Sequence, residues 1–273
     1  MESKRRYKMT ILKRTLIVLV FAFSILSGSA FAYERVVVLY AAASPVLKEL
    51  GVSDKVVGVT RTDHTFRGVT SVGSHLRPNM ELLRALRPDL IVAGSKRAFP
   101  EEMSNRLNAR VFYFDPRTLE EILQRIKSLG EILGAQQQAQ ALIDRLKEKL
   151  SEVRPLEDKP TVIYETSARP LKVAGSRSII TSIIEHAGGV NLIKVKKKHV
   201  LISPEKVVSL APQFYIYQVG PMNKNPLAPE KRPYFGSLKS HVVKVDEYEF
   251  ARPGINAFQA VIDLNRIFLE VLK

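Results

Sequence analysis

The sequence contains no cysteine and no tryptophan among its 273 residues. The absence of cysteine excludes a disulfide framework, a thiolate metal site and the lipid-bearing cysteine that tethers some exported proteins to a membrane. The HExxH, GxSxG, P-loop and GxGxxG motifs of common enzymes and nucleotide-binding proteins are absent as well. After residue 32, no apolar run approaches the roughly 20 residues that cross a bilayer. We therefore expect a soluble mature protein whose chemistry does not involve thiols.

The first 32 residues have the pattern of an export signal. Six basic residues precede an apolar run from Leu16 to Leu26, and the segment ends in the small-residue cleavage pattern SGSAFA. The apolar run has about half of the roughly 20 residues that a membrane span needs. We predict a signal peptide at residues 1–32, cleavage after Ala32 and a mature protein that is free in the periplasm.

The chain is strongly basic, with a formal net charge of +15. Removing the six basic residues and one acidic residue of the predicted signal leaves about +10. Such a charge often indicates nucleic acid binding. An exported chain rarely meets nucleic acid, however, and the lysines and arginines are spread out apart from KVKKKH at 194–199. An anionic small molecule or an anionic surface is the more economical partner, and we expect no nucleic acid.

Strand patterns alternate with helix patterns along the mature chain, which predicts an α/β protein with mostly parallel sheets. Valine-rich and aromatic runs predict strands, and capped amphipathic segments predict helices. The predicted strands are 35–40, 55–59, 88–94, 110–115, 161–166 and 213–218, and the predicted short helices are 44–51, 78–86, 178–189 and 204–212.

A long helical pattern divides the chain into two halves. It covers residues 118–153, and Gly130 and Gly134 predict a break within it. The second part would form a helix of about 19 residues, or about 28 Å, which is long enough to join two lobes. The predicted organisation is an N-terminal lobe at 33–134, a bridging helix at 135–153 and a C-terminal lobe at 154–273.

An internal repeat relates the two halves. Residues 199–218 align with residues 75–94 at a constant offset of 124, so that His199 corresponds to His75 and Glu205 to Glu81. In each copy a loop histidine precedes a helix with glutamate in its first turn. The helix dipole alone favours such a glutamate by about 0.3–1 kcal/mol, and a lone histidine is often only a surface residue. If the lobes are related by a pseudo-two-fold axis, the histidines would face each other across a cleft.

The chain resembles the bilobal substrate-binding proteins of ABC importers for iron-siderophores, haem and cobalamin. This resemblance implies two Rossmann-like α/β lobes with central, mostly parallel sheets, bridged by one long α-helix, with a ligand cleft between the lobes. The matching segments are ASPVLKELGVSDKVVGVT, VGSHLRPNMELLRALRPDLIVAG, TLEEILQRIKSLGEILG, AGSRSIITSIIEHAGGVNLI and ISPEKVVSLAP.

The resemblance also implies roles for individual residues. One glutamate on each lobe pairs with arginines of the permease in this family, and by motif these are Glu81 and Glu205. Cobalamin-binding relatives carry aromatic residues where this chain has His75 and His199, and the iron-ligating tyrosine of haem-binding relatives would fall near Ser74. The two histidines are candidates to ligate a metal or to bind an anionic chelate. Further candidates near the cleft are Arg61, His64, Tyr164, Tyr217 and Arg252.

The expected function is capture of a metal chelate and its delivery to a permease dimer in the inner membrane. A ferric siderophore or related iron complex is expected first, with cobalamin and haem as alternatives. We expect a monomer that is not an enzyme and has no intrinsic cofactor. Two other hypotheses stay open: a receptor for free zinc or nickel ions, and a secreted metallo-hydrolase that uses His64, His75 and His199 with Asp63.

Overall fold

A computed structural model describes residues 33–272 of the chain. The predicted signal segment and its cleavage site therefore lie outside the described residues. Within the described range, no helix combines the length and the apolar character that crossing a membrane requires.

The N-terminal lobe is built on a five-stranded sheet in the order β3-β2-β1-β4-β5, in which every neighbouring pair is parallel. Its central strands are short valine- and isoleucine-rich runs that are buried on both faces, as parallel strands between helices require. The strands are β1 (Val36–Val38), β2 (Val56–Val59), β3 (Thr70–Ser71), β4 (Leu90–Ala93) and β5 (Arg110–Tyr113), and the helices are α1 (Ser44–Glu49), α2 (Met80–Leu86) and α3 (Glu101–Asn105).

The C-terminal lobe contains a mixed sheet in the order β11-β10-β6-β7-β9, with β8 paired to β6. Strand β7 is antiparallel to both β6 and β9, and the other pairs are parallel. The strands are β6 (Thr161–Ala168), β7 (Leu171–Ala174), β8 (Val190–Asn191), β9 (His199–Leu201), β10 (Phe214–Val219) and β11 (His241–Asp246). The helices are α6 (Ile179–His186), α7 (Pro204–Leu210), α8 (Glu247–Phe250) and α9 (Asn256–Val271).

Two consecutive helices connect the sheets, α4 (Leu119–Leu133) and α5 (Gln136–Leu150). Gly134 separates them with a left-handed φ of 72°, a conformation that glycine adopts without steric cost. Helix α5 has 15 residues, or about 22 Å, so it is shorter than the 19 residues expected from the sequence. It packs against α1 and α9, so it contacts both halves of the molecule.

One buried apolar cluster runs through both halves. It includes Val36 and Val38 of β1, Leu142 of α5, and Phe214 and Ile216 of β10. The buried faces of α4 and α5 belong to the same cluster, so these helices link the cores of the two halves.

The internal repeat predicted from the sequence is present in the structure. Helices α2 and α7 have seven residues each, and their bounds differ by 124. Asn79 caps α2 and Ser203 caps α7, each by accepting hydrogen bonds from first-turn backbone amides. Both helices end at a left-handed residue, Arg87 with φ 46° and Ala211 with φ 44°.

Candidate ligand-binding cleft

A cavity of about 550 Å³ lies between the two lobes. Part of its wall is formed by residues at or just after the carboxyl ends of strands, where open α/β sheets bind ligands. The lining residues of this kind are Tyr40 after β1, Gly94 and Ser95 after β4, Asp115 after β5, Gln218 near the end of β10 and Glu247 after β11.

The two histidines of the repeat both line this cavity, one from each lobe. His75 is exposed to the cavity, and its ring lies edge-on to Tyr40 with 6.4 Å between ring centroids. His199 is half-buried, and its Nδ1 lies 3.3 Å from Oγ1 of Thr166. The structure therefore brings together the pair that the repeat predicted would face each other.

Both imidazoles are held in the neutral form at neutral pH. Burial, reinforced by the positive charges of Lys198, Lys172 and Arg117, lowers the pKa of His199 to about 4. Partial burial lowers the pKa of His75 as well, and the charge of Lys198 again contributes. A neutral imidazole has a nitrogen lone pair that can coordinate a metal or accept a hydrogen bond.

Positive charge predominates on the cavity wall. Arg97, Lys198 and Arg252 line the cavity, against the acidic residues Asp115 and Glu247. The carboxylate of Asp115 is paired with Arg117 at 2.6 Å. Burial raises the pKa of Glu247, whose Oε2 accepts a hydrogen bond from the backbone N–H of Met222 at 2.6 Å. A cavity of this kind attracts an anionic ligand.

Of the two arginines predicted near the cleft, Arg61 and Arg252, only Arg252 lines the cavity. Its guanidinium lies 4.0 Å from the centroid of the Tyr248 ring, and this cation–π contact fixes its position. The opposite lobe contributes His64, whose ring lies edge-on to Tyr248 at 5.6 Å. His64 thus contacts the other lobe and does not line the cavity, and Arg61 is likewise exposed outside the lining.

The two predicted tyrosines belong to the core. Tyr164 is 1% exposed, and its hydroxyl donates to Oε1 of Gln218 at 3.2 Å, so it positions a residue of the cavity wall. Tyr217 is buried in the apolar cluster on the other face of β10. Successive side chains of a strand point to opposite faces, so the cavity receives Gln218 and the core receives Tyr217. The expectation that these tyrosines face the ligand is corrected accordingly.

Several cavity residues were missed by sequence reasoning. Tyr40, Ser95, Asp115 and Gln218 could have been found by following each predicted strand to its carboxyl end. Lys198 directly precedes His199 in the basic run. Nothing in the sequence pattern indicated Arg97 or Met222.

The residues of the metallo-hydrolase hypothesis do not form one site. His75 and His199 line the cavity, but Asp63 accepts hydrogen bonds from the hydroxyl of Ser44 and from backbone amides of its own loop. Within residues 33–272, no three His, Asp or Glu side chains are grouped closely enough to hold a metal ion.

Glu81 and Glu205 lie on the surface, in the first turns of α2 and α7. Hydrogen bonds from its own backbone amide and from the Ser203 hydroxyl lower the pKa of Glu205. Neither glutamate lines the cavity. The two exposed carboxylates therefore occupy equivalent positions on the repeated helices, one in each lobe.

A family model described as periplasmic binding protein matches residues 36–227. The chain belongs to this periplasmic binding protein family. The resemblance to substrate-binding proteins of ABC importers, inferred from the sequence motifs, is confirmed, together with the general role of a solute-binding protein.

Curated relatives match over much of the chain. The chain is 25% identical over 250 residues to YvrC of Bacillus subtilis, an uncharacterized ABC transporter substrate-binding lipoprotein, and this match covers 85% of the chain and 78% of YvrC. It is 25% identical over 160 residues to IsdE of Staphylococcus aureus, a high-affinity heme uptake system protein. That match covers 55% of the chain and 54% of IsdE, so it spans about half of each protein.

Solved structures share the fold. The periplasmic heme-binding protein BhuT in complex with two hemes superposes with a TM-score of 0.76 at 22% identity, covering 89% of this chain and all of BhuT. IsdE of S. aureus complexed with heme gives a TM-score of 0.74 at 21% identity, with 86% and 98% coverage. The predicted bilobal α/β fold class is confirmed, although the second sheet is mixed.

Proposed function

We propose that the mature protein captures an anionic iron chelate in the cleft and delivers it to the permease of an ABC importer. The observation that carries the proposal is the pair of neutral imidazoles, His75 and His199, which reach one basic cavity from equivalent positions of the two lobes. Nitrogen ligands of this type suit iron.

Haem is the first ligand to test. Relatives named for heme support this choice, as does the combination of imidazoles for the iron with Arg97, Lys198 and Arg252 for carboxylates. An anionic ferric siderophore is the second candidate, because the same cations would attract it without requiring an iron–imidazole bond. In either case the chelate itself, not a cluster of protein ligands, retains the metal.

The decisive experiment is a titration of purified residues 33–273 with haem, a ferric trihydroxamate, cobalamin and bare Zn²⁺ in parallel. We expect haem to bind with an absorption spectrum of imidazole-ligated iron. The variants His75→Ala and His199→Ala should each weaken haem binding at least tenfold. His241→Ala is the matched control, because His241 is exposed outside the cavity. Tight binding of Zn²⁺ without binding of any chelate would contradict the proposal.

Delivery requires contact with a permease, and Glu81 and Glu205 are the proposed contact points. Exposed charge pairs at the rim of an interface determine orientation and encounter rate more than affinity. This suits a carrier that must dock and then release. We propose a monomer, because the internal repeat already supplies one docking carboxylate for each half of a permease dimer.

We also propose that the protein is exported and that its mature chain is divided into two lobes. Residues 1–32 would be removed after Ala32 and the mature protein would act in the periplasm. The lobe boundaries proposed are 33–134 and 154–273, with 135–153 as the bridge around α5. Mass spectrometry of protein secreted to the periplasm would test the cleavage site, and a mass that includes residues 1–32 would contradict it.

A further inference from the structure

A second cavity of about 670 Å³ lies entirely within the C-terminal lobe. It is formed between the turn that joins β6 to β7 and the long loop at 221–234. The cations Arg169 and Lys224 line it, and its lining, within the described residues, includes no carboxylate. This cavity is basic like the cleft, although all of its lining residues come from the C-terminal lobe.

The second cavity adjoins the cleft. Pro221 and Met222 line both cavities, so they form the partition between them. The backbone of Met222 is anchored by the hydrogen bond to Glu247, but its side chain is 48% exposed. Methionine has a flexible side chain that adapts to irregular surfaces. A ligand in the cleft could therefore extend past Met222 without a change in the backbone.

The floor of the second cavity is rigid. Arg232 also lines the cavity, is almost completely buried and forms a bidentate ion pair with Glu165, with 3.0 Å between Nη2 and Oε1. Asn223 donates to the same carboxylate at 3.1 Å and to the backbone oxygen of Gln218 at 2.8 Å. Because Glu165 neutralises Arg232, the charge offered to a ligand comes from Arg169 and Lys224. The cavity is formed before any ligand arrives.

Part of the cavity wall is apolar and aromatic. Tyr234 is 43% exposed and Leu227 is 52% exposed. The Tyr234 ring is held edge-on by Phe235, with 4.9 Å between centroids, and Phe235 is packed in the same way on Tyr215. An aromatic surface beside two cations matches a flat group that ends in a carboxylate.

We propose that the second cavity is a subsite for an anionic aromatic arm of the ligand whose iron-bearing part occupies the cleft. This inference rests on the proposed function for the identity of the main ligand. The subsite itself would bind an aryl carboxylate whether or not the cleft is filled. A chelate with such an arm would span Met222 and bind more tightly than the same chelate without it.

The test uses 2-naphthoate and its neutral amide as probes of the mature protein, followed by NMR of labelled methionine methyl groups. Three methionines follow the predicted cleavage site, and of these Met222 alone lines the partition. We expect naphthoate, but not the amide, to shift the Met222 signal, both alone and after saturation of the cleft with haem. The Met222 signal is assigned from its loss in Met222→Leu.

Two variants locate the probe. Tyr234→Ala should weaken naphthoate binding about threefold to tenfold, as expected for loss of one aromatic contact. Lys224→Gln should weaken it about twofold to fivefold, as expected for an exposed ion pair. Lys239→Gln removes the same charge outside the cavity and should have no effect.

The outcomes separate the subsite from the main ligand. If haem fails to bind but naphthoate behaves as described, the subsite is supported and the choice of haem is wrong. If naphthoate does not bind, is displaced by haem, or is insensitive to Tyr234→Ala and Lys224→Gln, the subsite is overturned. A further arm compares haem with a haem whose propionate carries an amide-linked aminobenzoate. Equal affinity of the two for the wild-type protein would also overturn the inference.

Discussion

Each cleft histidine is surrounded by lysine and arginine charge. Lys198 affects both rings, while Lys172 and Arg117 act on His199 and Arg252 acts on His75. Burial is the largest cause of the lowered pKa of each ring, and the positive neighbours lower it further, so protons compete weakly with a metal for the ring nitrogen. The same charges that attract an anionic chelate therefore also keep its imidazole ligands available.

Stability should decrease on acidification because of His199. Its pKa is about 4 in the folded protein and about 6.5 in an unfolded chain, so the unfolded state takes up the proton first as pH falls. The free energy of unfolding should decrease between pH about 6.5 and about 4, by on the order of 1–3 kcal/mol. Urea unfolding of wild type and His199→Gln at pH 7.5, 6 and 5 measures this. The variant should show the smaller pH dependence, and equal dependence would contradict the assignment.

Gly94 allows the Tyr40 ring to lie on the cavity wall. A Cβ at this position would be 2.9 Å from Cδ2 of Tyr40, closer than side chains approach. We predict that Gly94→Ala displaces the ring, lowers the free energy of unfolding by about 1–3 kcal/mol and weakens haem binding. Gly236→Ala is the control, because its added Cβ would have no neighbour nearer than 3.6 Å. Calorimetry gives both quantities, and similar results for the two variants would refute the packing argument.

The sequence predicted some residues of the site and not others for definite reasons. His75 and His199 could be found because the repeat placed them at equivalent positions. Tyr217 was chosen in place of Gln218 because a strand pattern does not show which face meets a cavity. Arg97 comes from a loop whose position depends on tertiary packing alone.

At the scale of single elements, the repeated helices show how local sequence fixes structure. Caps at Asn79 and Ser203 set the start of α2 and α7. Pro88 and Pro212 limit the other end of each helix, because the residue before a proline avoids the helical region. These local rules explain why both helices were predicted nearly in full. The β6–β7 hairpin was missed because its connecting residues, Arg169 and Pro170, lack the Asn-Gly type of turn signal.

Replacing alanine by glycine should have opposite effects at the left-handed end of α7 and inside α2. Ala211 has φ 44°, which strains any residue with a Cβ. Ala211→Gly should therefore raise the free energy of unfolding by about 0.5–1 kcal/mol. The control Ala85→Gly, within α2 and exposed, should lower it by about 1 kcal/mol. Chemical denaturation of both variants checks the prediction, and destabilisation by Ala211→Gly would contradict it.

For the whole molecule, the two glutamates proposed for docking lie outside the cavity proposed for the ligand. Glu81→Gln combined with Glu205→Gln should abolish chelate uptake in cells while the affinity of the purified protein for haem stays unchanged. The reason is that both side chains are exposed outside the cavity. The control is Glu230→Gln combined with Glu249→Gln, which removes two other exposed carboxylates that lie outside the cavity. A loss of ligand affinity equal to the loss of uptake would contradict the docking role.

The arrangement of the lobes was predictable only in outline. The alternating pattern and the helical stretch at 118–153 indicated two α/β halves and a connection. That one apolar cluster passes from β1 through α5 to β10 depends on contacts between residues far apart in sequence. No local pattern encodes such contacts, so the relation between the halves had to come from the structure.

This continuous core has a mechanical consequence. Rotating one lobe away from the other would expose apolar side chains of the connecting helix, such as Leu142 of α5, which is 2% exposed, and each such side chain costs about 1.5–3 kcal/mol when it returns to water. We expect the radius of gyration from X-ray scattering to be nearly the same with and without ligand, and a large decrease on binding would contradict this. Under the proposed function, the work of separating the lobes to release the ligand would come from the transporter and its ATP, applied through the surface that carries Glu81 and Glu205.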